Sequence, residues 1–386
     1  MTEKLYLNDS YCRSFSATVV SCEAVDGKFG VVLDKTAFFP EGGGQAADRG
    51  TINQIQVQDV KLQGDSVIHY LESELTVGET VQCELDWELR FTRMQSHTGE
   101  HILSGIVHSL YKYDNIGFHM NDELIVVDFN GSLTADDIKI VEIKSNEAIY
   151  KNADVNALYP SKDEVETMEF RSKKEITSDL RIISIGEDID SCACCAPHVA
   201  KTGEVGLIKI IDFSSYKQGT RITMVAGKTA LLDYMGINKS IKELMKITSS
   251  PRNLVADAVS EKYKQYQDLN YEYQKVANQL ALSELKLSEV DDSVYSITEN
   301  LNFEEMRYCS NSITENGCDV CILISSNEDG YLYVVSSKNI DVRPIVKALN
   351  EEFNGKGGGK NDYSQGKISS ATKEKIEEFI KKILKK

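Results

Sequence analysis

The spacing of apolar and polar residues divides the chain into four segments. In residues 1–88, short alternating runs such as residues 16–22 are separated by Gly and Asp, and they predict a β-rich segment. Residues 89–230 combine similar runs with two stretches of helical periodicity, at residues 86–111 and 134–152. This second segment is therefore predicted to be α+β.

The third segment has a different pattern, which predicts one long helix. Its apolar residues follow a 3–4 heptad spacing that Lys262 and Ser283 interrupt; they are Val259, Tyr266, Leu269, Tyr273, Val276, Leu280 and Leu287. Such a stripe could form an intermolecular coiled coil or pack on its own chain. We expect a homodimer that forms through the helix at residues 255–287 and the C-terminal domain.

The last segment returns to an α/β pattern. Runs at residues 320–325 and 330–337 predict strands, and a terminal helix is predicted from Thr372. The predicted domains are therefore residues 1–88, 89–230, 231–290 (the long helix) and 291–386.

Composition narrows the class of protein. The chain has 386 residues, and no apolar run approaches the ~20 residues that span a bilayer. Its first residues lack the charged-then-apolar layout of a signal peptide. The nine cysteines form no repeating framework. We therefore expect reduced thiols in a cytoplasmic protein that does not contact a membrane.

The charge is uneven along the chain. A net charge of −17 argues against a general binder of polyanions. Residues 355–386 run against this trend, with nine lysines and four acidic residues. This end of the chain could be a solvated helix face or a local basic site.

Two short strings carry candidate metal ligands, His97-Thr-Gly-Glu-His101 and Cys194-Cys-Ala-Pro-His198. Each places two donors four residues apart, and on a helix such residues share one face. Together the strings supply three imidazoles and one thiolate, which is a donor set that Zn²⁺ prefers in tetrahedral sites. We expect one zinc ion here.

Other interpretations of these strings stay open. The two histidines of the first string could simply be polar residues on a helix face. They also fit the His-x-x-Glu-His pattern of inverzincin proteases, in which Glu100 would be the general base. A thiolate ligand weakens the protease interpretation. Cys192 or Cys195 could replace Cys194 as that ligand.

A glycine-rich string, KTAFFPEGGGQAADRG, occupies residues 35–50. Three successive glycines let the backbone approach a ligand closely and present its N–H groups. Thr36, Gln45 and Asp48 are polar residues beside aromatic ones, as a small binding pocket requires. The alternative is a flexible hairpin loop.

Four strings, in order, resemble the motifs of the alanyl-tRNA editing proteins (the AlaX family): FFPEGGGQ at 38–45, HTGEH at 97–101, GFH at 117–119 and CCAPHVAKTGEVG at 194–206. A fifth string, GKGGGKNDYSQ at 355–365, resembles the glycine-rich signature of the C-terminal domain of alanyl-tRNA synthetase. The resemblance covers nearly the whole chain and indicates the long AlaX subtype. It implies a small N-terminal β-barrel, an α+β zinc-binding editing core, a long helical linker and a C-terminal α/β domain.

The resemblance also implies an activity. Family members hydrolyse the ester that joins a wrong amino acid, chiefly serine and also glycine, to alanine tRNA. Only 96 residues precede His97, too few for a class II aminoacylation domain with a tRNA-recognition domain, so we expect a freestanding hydrolase that acts in trans. One alternative is a non-catalytic tRNA- or nucleic-acid-binding protein with a structural zinc, and a zinc peptidase is another.

Site residues follow from the motif match. The implied zinc ligands are His97, His101, Cys194 and His198. Gln45 and Glu100 are the predicted catalytic positions, with Gln45 on the aminoacyl ester or terminal adenosine and Glu100 behind the ligands. The predicted substrate-binding residues are Thr36, which would touch the serine hydroxyl, Gly43, Gly44, Phe118 and His119. Lys356, Lys360 and Lys367 are predicted to contact the tRNA body.

Overall fold

The computed structural model describes residues 2–172, 180–327, 330–369 and 371–385. The chain divides into two compact units, Met1–Lys242 and Glu243–Lys386. Within the described residues, no helix combines the length and the apolar character that crossing a membrane requires.

The first unit begins with the predicted β-rich segment. Its elements are β1 (Glu3–Lys4), α1 (Leu5–Asn8), β2 (Ser14–Val25), β3 (Lys28–Leu33), β4 (Lys35–Thr36), β5 (Gly50–Ile52), β6 (Ile55–Val57), β7 (Asp59–Gln63), β8 (Ser66–Leu71) and β9 (Thr80–Leu85). One sheet runs in the order β6-β5-β9-β2-β3-β8-β7. Its edge strands β6 and β7 are consecutive and only Gln58 separates them, so the sheet curls into a nearly closed barrel.

Helix α2 (Trp87–Tyr111) follows the barrel and confirms the helix predicted at residues 86–111. The Asp86 carboxylate accepts the Leu89 N–H, which caps the first turn. Lys112 ends the helix in the left-handed conformation, with φ of 59°. Most of the middle of α2 is buried, because the glycine-rich string and the following sheets pack around it.

Two antiparallel sheets and helix α3 complete this unit. The elements are β10 (Asn115–Met120), β11 (Ile125–Phe129), α3 (Ala135–Tyr150), β12 (Val155–Leu158), α4 (Lys162–Val165), β13 (Ile182–Ile185), β14 (Asp190–Ala193), a 3-10 helix (Thr202–Val205), β15 (Ile208–Tyr216) and β16 (Gly219–Ala226). The sheets have the orders β10-β11-β16-β15 and β12-β13-β14. A single apolar core joins α2 and α3 to both sheets, which confirms the predicted α+β character.

The long helix predicted for residues 231–290 is wrong as a single element. The chain forms α5 (Gly227–Thr248), a 3-10 turn (Arg252–Leu254) and α6 (Val255–Glu284). The break follows from Ser249, which has a left-handed φ of 53°, and from Pro251, which cannot donate a helical hydrogen bond. Leu287 lies beyond the end of α6, so the predicted stripe loses its last member.

The second unit is a three-layer α/β domain, as predicted. Its elements after α6 are β17 (Ser288–Val290), β18 (Ser293–Glu299), α7 (Phe303–Glu315), β19 (Cys321–Asn327), β20 (Gly330–Ser336), α8 (Arg343–Glu352), β21 (Lys356–Gly359), β22 (Tyr363–Ile368) and α9 (Lys373–Leu384). The sheet order is β17-β18-β19-β20-β22-β21. One face packs on α8 and α9, and the other packs on α7 and the end of α6.

Candidate metal centre

Helix α2 and the segment after β14 bring the four predicted ligands together. The donor atoms of His97, His101, Cys194 and His198 all lie within 4.8 Å of one another. Cys194 Sγ is 3.6 Å from His97 Nε2 and 3.4 Å from His198 Nε2. All three histidines are buried. The sequence-predicted set is therefore one cluster with the donor types and compactness of a metal site.

Each imidazole of the cluster has a partner on its other nitrogen. The Nδ1 partners are Gln45 Oε1 for His97 (2.8 Å), Asp190 Oδ2 for His101 (3.0 Å) and Thr98 Oγ1 for His198 (3.1 Å). Such outer partners fix the tautomer and the ring orientation of metal-binding histidines. The arrangement fits a metal ion, because each ring is held with one nitrogen turned toward the shared centre.

The charges at the centre also suit a metal. Burial raises the pKa of the Cys194 thiol, but the imidazoles of His97 and His198 lower it more, so that this pKa lies well below its usual range. Burial lowers the pKa of His198 to about 3. For Cys194 and His198, these directions favour the thiolate and the neutral imidazole, the protonation states that metal binding needs.

The neighbouring cysteines occupy different positions. Cys192 is buried and groups with His101 and Asp190 rather than with the other two histidines. Cys195 is exposed. Of the three candidate thiols, Cys194 is the one that lies with all three histidines, as the spacing predicted.

The glycine-rich loop packs against β10 next to this cluster. Gly44 has a φ of +86°, and a Cβ there would lie 2.5 Å from the Phe118 ring, so the position requires glycine. The Met120 N–H donates to the Gly44 carbonyl (3.0 Å). Gly43 also has a positive φ, of +60°, with open space around it. The loop thereby delivers the following residue, Gln45, to His97.

Gln45 is buried, and only one end of its side-chain amide has a hydrogen-bond partner among the described residues. Its Oε1 accepts from His97 Nδ1, and its Nε2 has no hydrogen-bond partner among the described residues. This amide orientation is assigned from the ring of His97: with Nε2 turned toward the centre, Nδ1 carries the proton and needs an acceptor. The unused N–H donors of a buried amide therefore face the neighbourhood of the cluster, where a ligand oxygen would satisfy them.

Phe118 and His119, the two predicted substrate-binding residues of the GFH string, are neighbours on strand β10 and lie in different surroundings. The Phe118 ring centroid is 5.1 Å from that of His97, so Phe118 lines the site. His119 is exposed. Successive side chains of a strand point to opposite faces, and the structure does not bring His119 to the cluster.

Thr36, on β4, lies next to barrel strand β8. It is fully buried, its Oγ1 is 2.8 Å from His69 Nε2, and it accepts the Phe38 N–H at 3.1 Å. His69 Nδ1 is 3.1 Å from the Val31 carbonyl, so Nδ1 carries the proton and Nε2 accepts from the Thr36 hydroxyl. Sequence reasoning missed His69, because a lone histidine in an alternating strand has no distinguishing spacing.

Glu100 faces away from the cluster donors. It is buried and accepts hydrogen bonds from Ser104 (2.6 Å) and Asn115. Its carboxylate is not among the candidate metal ligands. This placement agrees with a residue behind the ligands and gives no support to a protease general base.

A buried ion pair that the motifs did not reveal ties the glycine-rich string to α2. Arg90 Nε lies 3.0 Å from Asp48 Oδ1, and Arg90 also donates to the Ala37 carbonyl. The other Asp48 oxygen accepts the Phe39 N–H at 2.6 Å. Both ends of the string are thus fixed to the helix that carries His97. An arginine on the buried stripe of α2 was the available signal.

Three family descriptions match parts of the chain. Residues 180–223, which include Cys194 and His198, match the "Threonyl and Alanyl tRNA synthetase second additional domain". Residues 293–386 match the "DHHA1 domain". Residues 13–89 match "tRNA synthetases class II (A)".

Full-length relatives agree with these matches. The chain is 27% identical to the alanyl-tRNA editing protein AlaX-L of Pyrococcus horikoshii, over 99% of this chain and 98% of that protein. It is 34% identical to the alanyl-tRNA editing protein Aarsd1 of Bos taurus, over 62% of this chain and 58% of that protein. It is 28% identical to the alanine–tRNA ligase of Ignicoccus hospitalis, over the whole chain but only 43% of the ligase. With its ordered motifs and its clustered His and Cys residues, the chain is similar to an alanyl-tRNA editing protein over nearly its whole length.

Proposed function

We propose that the protein is a freestanding hydrolase that removes the wrong amino acid from misacylated alanine tRNA. The observation that carries this proposal is the hydrogen bond between Gln45 and His97. It joins the glycine-rich motif to the His/Cys cluster, so that the separate strings meet at one site. Similarity to AlaX-L over nearly the whole of both chains supports the freestanding form.

The reaction is the hydrolysis of an ester. Water adds to the carbonyl carbon, the bond from that carbon to the ribose oxygen breaks, and the ribose oxygen leaves with a proton. Negative charge develops on the carbonyl oxygen before the bond breaks. A donor fixed in a buried site stabilises such charge without reorganising during the reaction.

Gln45 is the residue that we assign to this oxygen. Its Oε1 is held by His97, so its Nε2, which has no partner among the described residues, is fixed in position. The amide would donate to the ester carbonyl, and Phe118 would provide an apolar wall for the terminal adenosine. Glu100, through Ser104 and Asn115, would hold α2 and β10 at the distance that this pocket needs.

We propose zinc as the metal of this family member, held by His97, His101, Cys194 and His198. The nitrogen and thiolate donors are those that zinc prefers. When bound, zinc would supply Lewis-acid character and fix the geometry of the pocket. Cytoplasmic localisation is part of this proposal, because Cys194 must stay a reduced thiol to serve as a ligand.

Deacylation assays test the proposed function. The purified protein is incubated with seryl-, glycyl- and alanyl-tRNA of the alanine acceptor, and release of each amino acid is measured. The expected result is that serine is released and alanine is retained. The rate of glycine release, compared with that of serine, shows whether glycine is a second substrate. If neither serine nor glycine is released while tRNA still binds, the protein is a non-catalytic tRNA-binding protein and the proposal is wrong.

Contact with the tRNA body is proposed for Lys356, Lys360 and Lys367. Lys356 and Lys367 are direct cross-strand partners at the β21 edge of the second unit's sheet, and all three side chains are exposed. Like charges directly opposite one another are unfavourable, and phosphate would relieve that repulsion. The double change K356E/K360E should weaken tRNA binding and flatten its salt dependence, whereas K373E, on α9, should not.

A homodimer through α6 is also proposed. The stripe residues are each between 39% and 69% exposed, so they are not part of the core of their own unit; they are Val259, Tyr266, Leu269, Tyr273, Val276 and Leu280. An exposed apolar stripe with heptad spacing is typical of a helix that pairs with a second helix.

A further inference from the structure

The His101 side of the metal centre contains a buried ion pair that no motif includes. Asp190, at the start of β14, is 2% exposed at its side chain. Its Oδ2 contacts His101 Nδ1 at 3.0 Å. The Arg171 guanidinium donates two hydrogen bonds to the same carboxylate, from Nε to Oδ1 at 2.7 Å and from Nη2 to Oδ2 at 2.8 Å.

The three imidazoles of the cluster are therefore not equivalent. An amide oxygen holds His97, a hydroxyl holds His198, and a carboxylate holds His101. Of these partners, the anionic one is the strongest acceptor of an N–H proton. It fixes the tautomer of His101 and increases the electron density at the nitrogen that faces the centre.

Close packing of β14 on α2 places the Asp190 carboxylate next to the His101 ring. Gly105 lies one turn after His101 on α2, and a Cβ there would clash with the Ile189 carbonyl and lie 2.8 Å from Asp190 Cβ. The bare turn lets β14 approach the helix. The Arg171 N–H donates to the Ser191 carbonyl, and the Ala193 N–H donates to the Arg171 carbonyl. These two backbone hydrogen bonds fix Arg171 next to β14, the strand that carries Asp190.

We propose that Asp190 and Arg171 are positioning residues that set the orientation and the metal affinity of His101. Asp190 holds the imidazole, and Arg171 holds Asp190 in the orientation that faces the ring while balancing its charge. An Asp190 left without Arg171 would be a buried, unpaired anion, which is costly. The inference rests on the proposed metal role of the cluster, but not on the hydrolysis of tRNA.

The test compares D190N and R171M with a matched control, D128N. Asp128 makes the same kind of two-point ion pair, with Arg221 Nε at 2.6 Å and Nη2 at 2.8 Å, and it touches no candidate ligand. Zinc affinity is measured on the full chain by competition with a chromogenic chelator. The visible spectrum of the Co²⁺-substituted protein reports ligand geometry, and thermal unfolding of the metal-free protein reports stability.

We expect D190N to lose ~10–100-fold in zinc affinity, the usual effect of removing an outer partner of a metal-bound histidine. R171M should show a smaller loss of zinc affinity, and both variants should alter the spectrum of the Co²⁺-substituted protein. D128N should change neither the zinc affinity nor the spectrum. Equal zinc affinity and equal spectra in D190N and D128N would overturn the positioning role. A wild-type protein that binds no zinc would overturn it too, whereas lost tRNA hydrolysis with intact zinc binding would count only against the proposed function.

Discussion

The two ends of the Gln45 amide have different surroundings. The oxygen contacts His97, and the buried nitrogen has no hydrogen-bond partner within the part of the chain that the structure describes. Buried polar groups are rarely left unpaired in a native protein, and the exceptions often mark catalytic or ligand sites. The string of glycines before Gln45 makes this placement possible, because Gly44 packs where no side chain fits.

Substitutions at Gln45 test the two ends of its amide separately. Q45E keeps an acceptor for His97 but removes the donor, whereas Q45A removes both. We expect both variants to lose ~10²–10³-fold in kcat for seryl-tRNA hydrolysis, the usual cost of losing one oxyanion donor. Only Q45A should also weaken zinc binding. Q63E, at an exposed site on β7, is the control, and full activity in Q45E would disprove the donor role.

His69 gives the barrel a pH-dependent stability. Burial lowers its pKa from 6.5 to about 4. The unfolded chain therefore takes up a proton as the pH falls below about 6.5, while the folded barrel does not until about pH 4. The stability from this residue is complete above pH 6.5, is lost progressively down to pH 4 and changes no further below that.

The variant H69Q isolates this effect. Glutamine can still donate to Val31 and accept from Thr36, but it does not titrate. The free energy of unfolding should fall by about 3 kcal/mol more in the wild type than in H69Q between pH 7 and pH 4. Urea titrations followed by the fluorescence of Trp87, the single tryptophan, measure it. Parallel pH profiles would show that His69 does not titrate in this window.

Residues differ in how far the sequence alone reveals them. The ligands His97, His101, Cys194 and His198 were predictable, because a metal demands particular atoms at particular spacings. Asp190 and Arg171 were not, because a carboxylate that supports a histidine has no fixed position along the chain. The contact between the Thr36 hydroxyl and His69 was not predictable either, because no local pattern records which strand lies next to β4.

At the scale of elements, α2 depends on its glycines for close packing. Gly105 admits β14, and the neighbouring turn carries His101. Helical periodicity predicted the extent of α2 correctly, from the cap at Asp86 to its end. Periodicity did not predict the break between α5 and α6, because apolar residues continue across Pro251 with nearly helical spacing. Pro251 and the left-handed backbone at Ser249 end the helix despite this apolar spacing.

Gly105→Ala tests the docking of β14 on α2. The added methyl group meets the Ile189 carbonyl and Asp190, so we expect a loss of about 1–3 kcal/mol in stability, as in other overpacked sites, and weaker zinc binding. Gly236→Ala is the matched control on α5, where nothing lies within 4 Å of the new Cβ. It should stabilise the unit by up to about 1 kcal/mol. Equal effects of the two variants would contradict close α2–β14 packing.

At the scale of the whole molecule, α6 is a long helix that leaves most of its apolar residues exposed. Its apolar stripe is exposed along most of the helix, and the unit to which it belongs uses only the last turns, around Ala281, for its own core. The stripe was predictable from heptad spacing. Whether it pairs within or between chains was not, because both arrangements bury the same residues.

Two tyrosines on α6 offer a matched test of the homodimer. Tyr273 lies in the stripe and Tyr271 does not, yet their exposures are similar, 65% and 70%. Neither supports the fold of its own unit, so Y273D and Y271D should both fold. Y273D should weaken dimerisation by at least ~10-fold, since burying an aspartate at a helix–helix seam costs more than the ~1.4 kcal/mol that this factor represents. Y271D should leave it unchanged, and sedimentation equilibrium over a range of concentrations distinguishes them. A wild-type protein that stays monomeric throughout, or equal weakening by both variants, would show that the stripe is not the dimer interface.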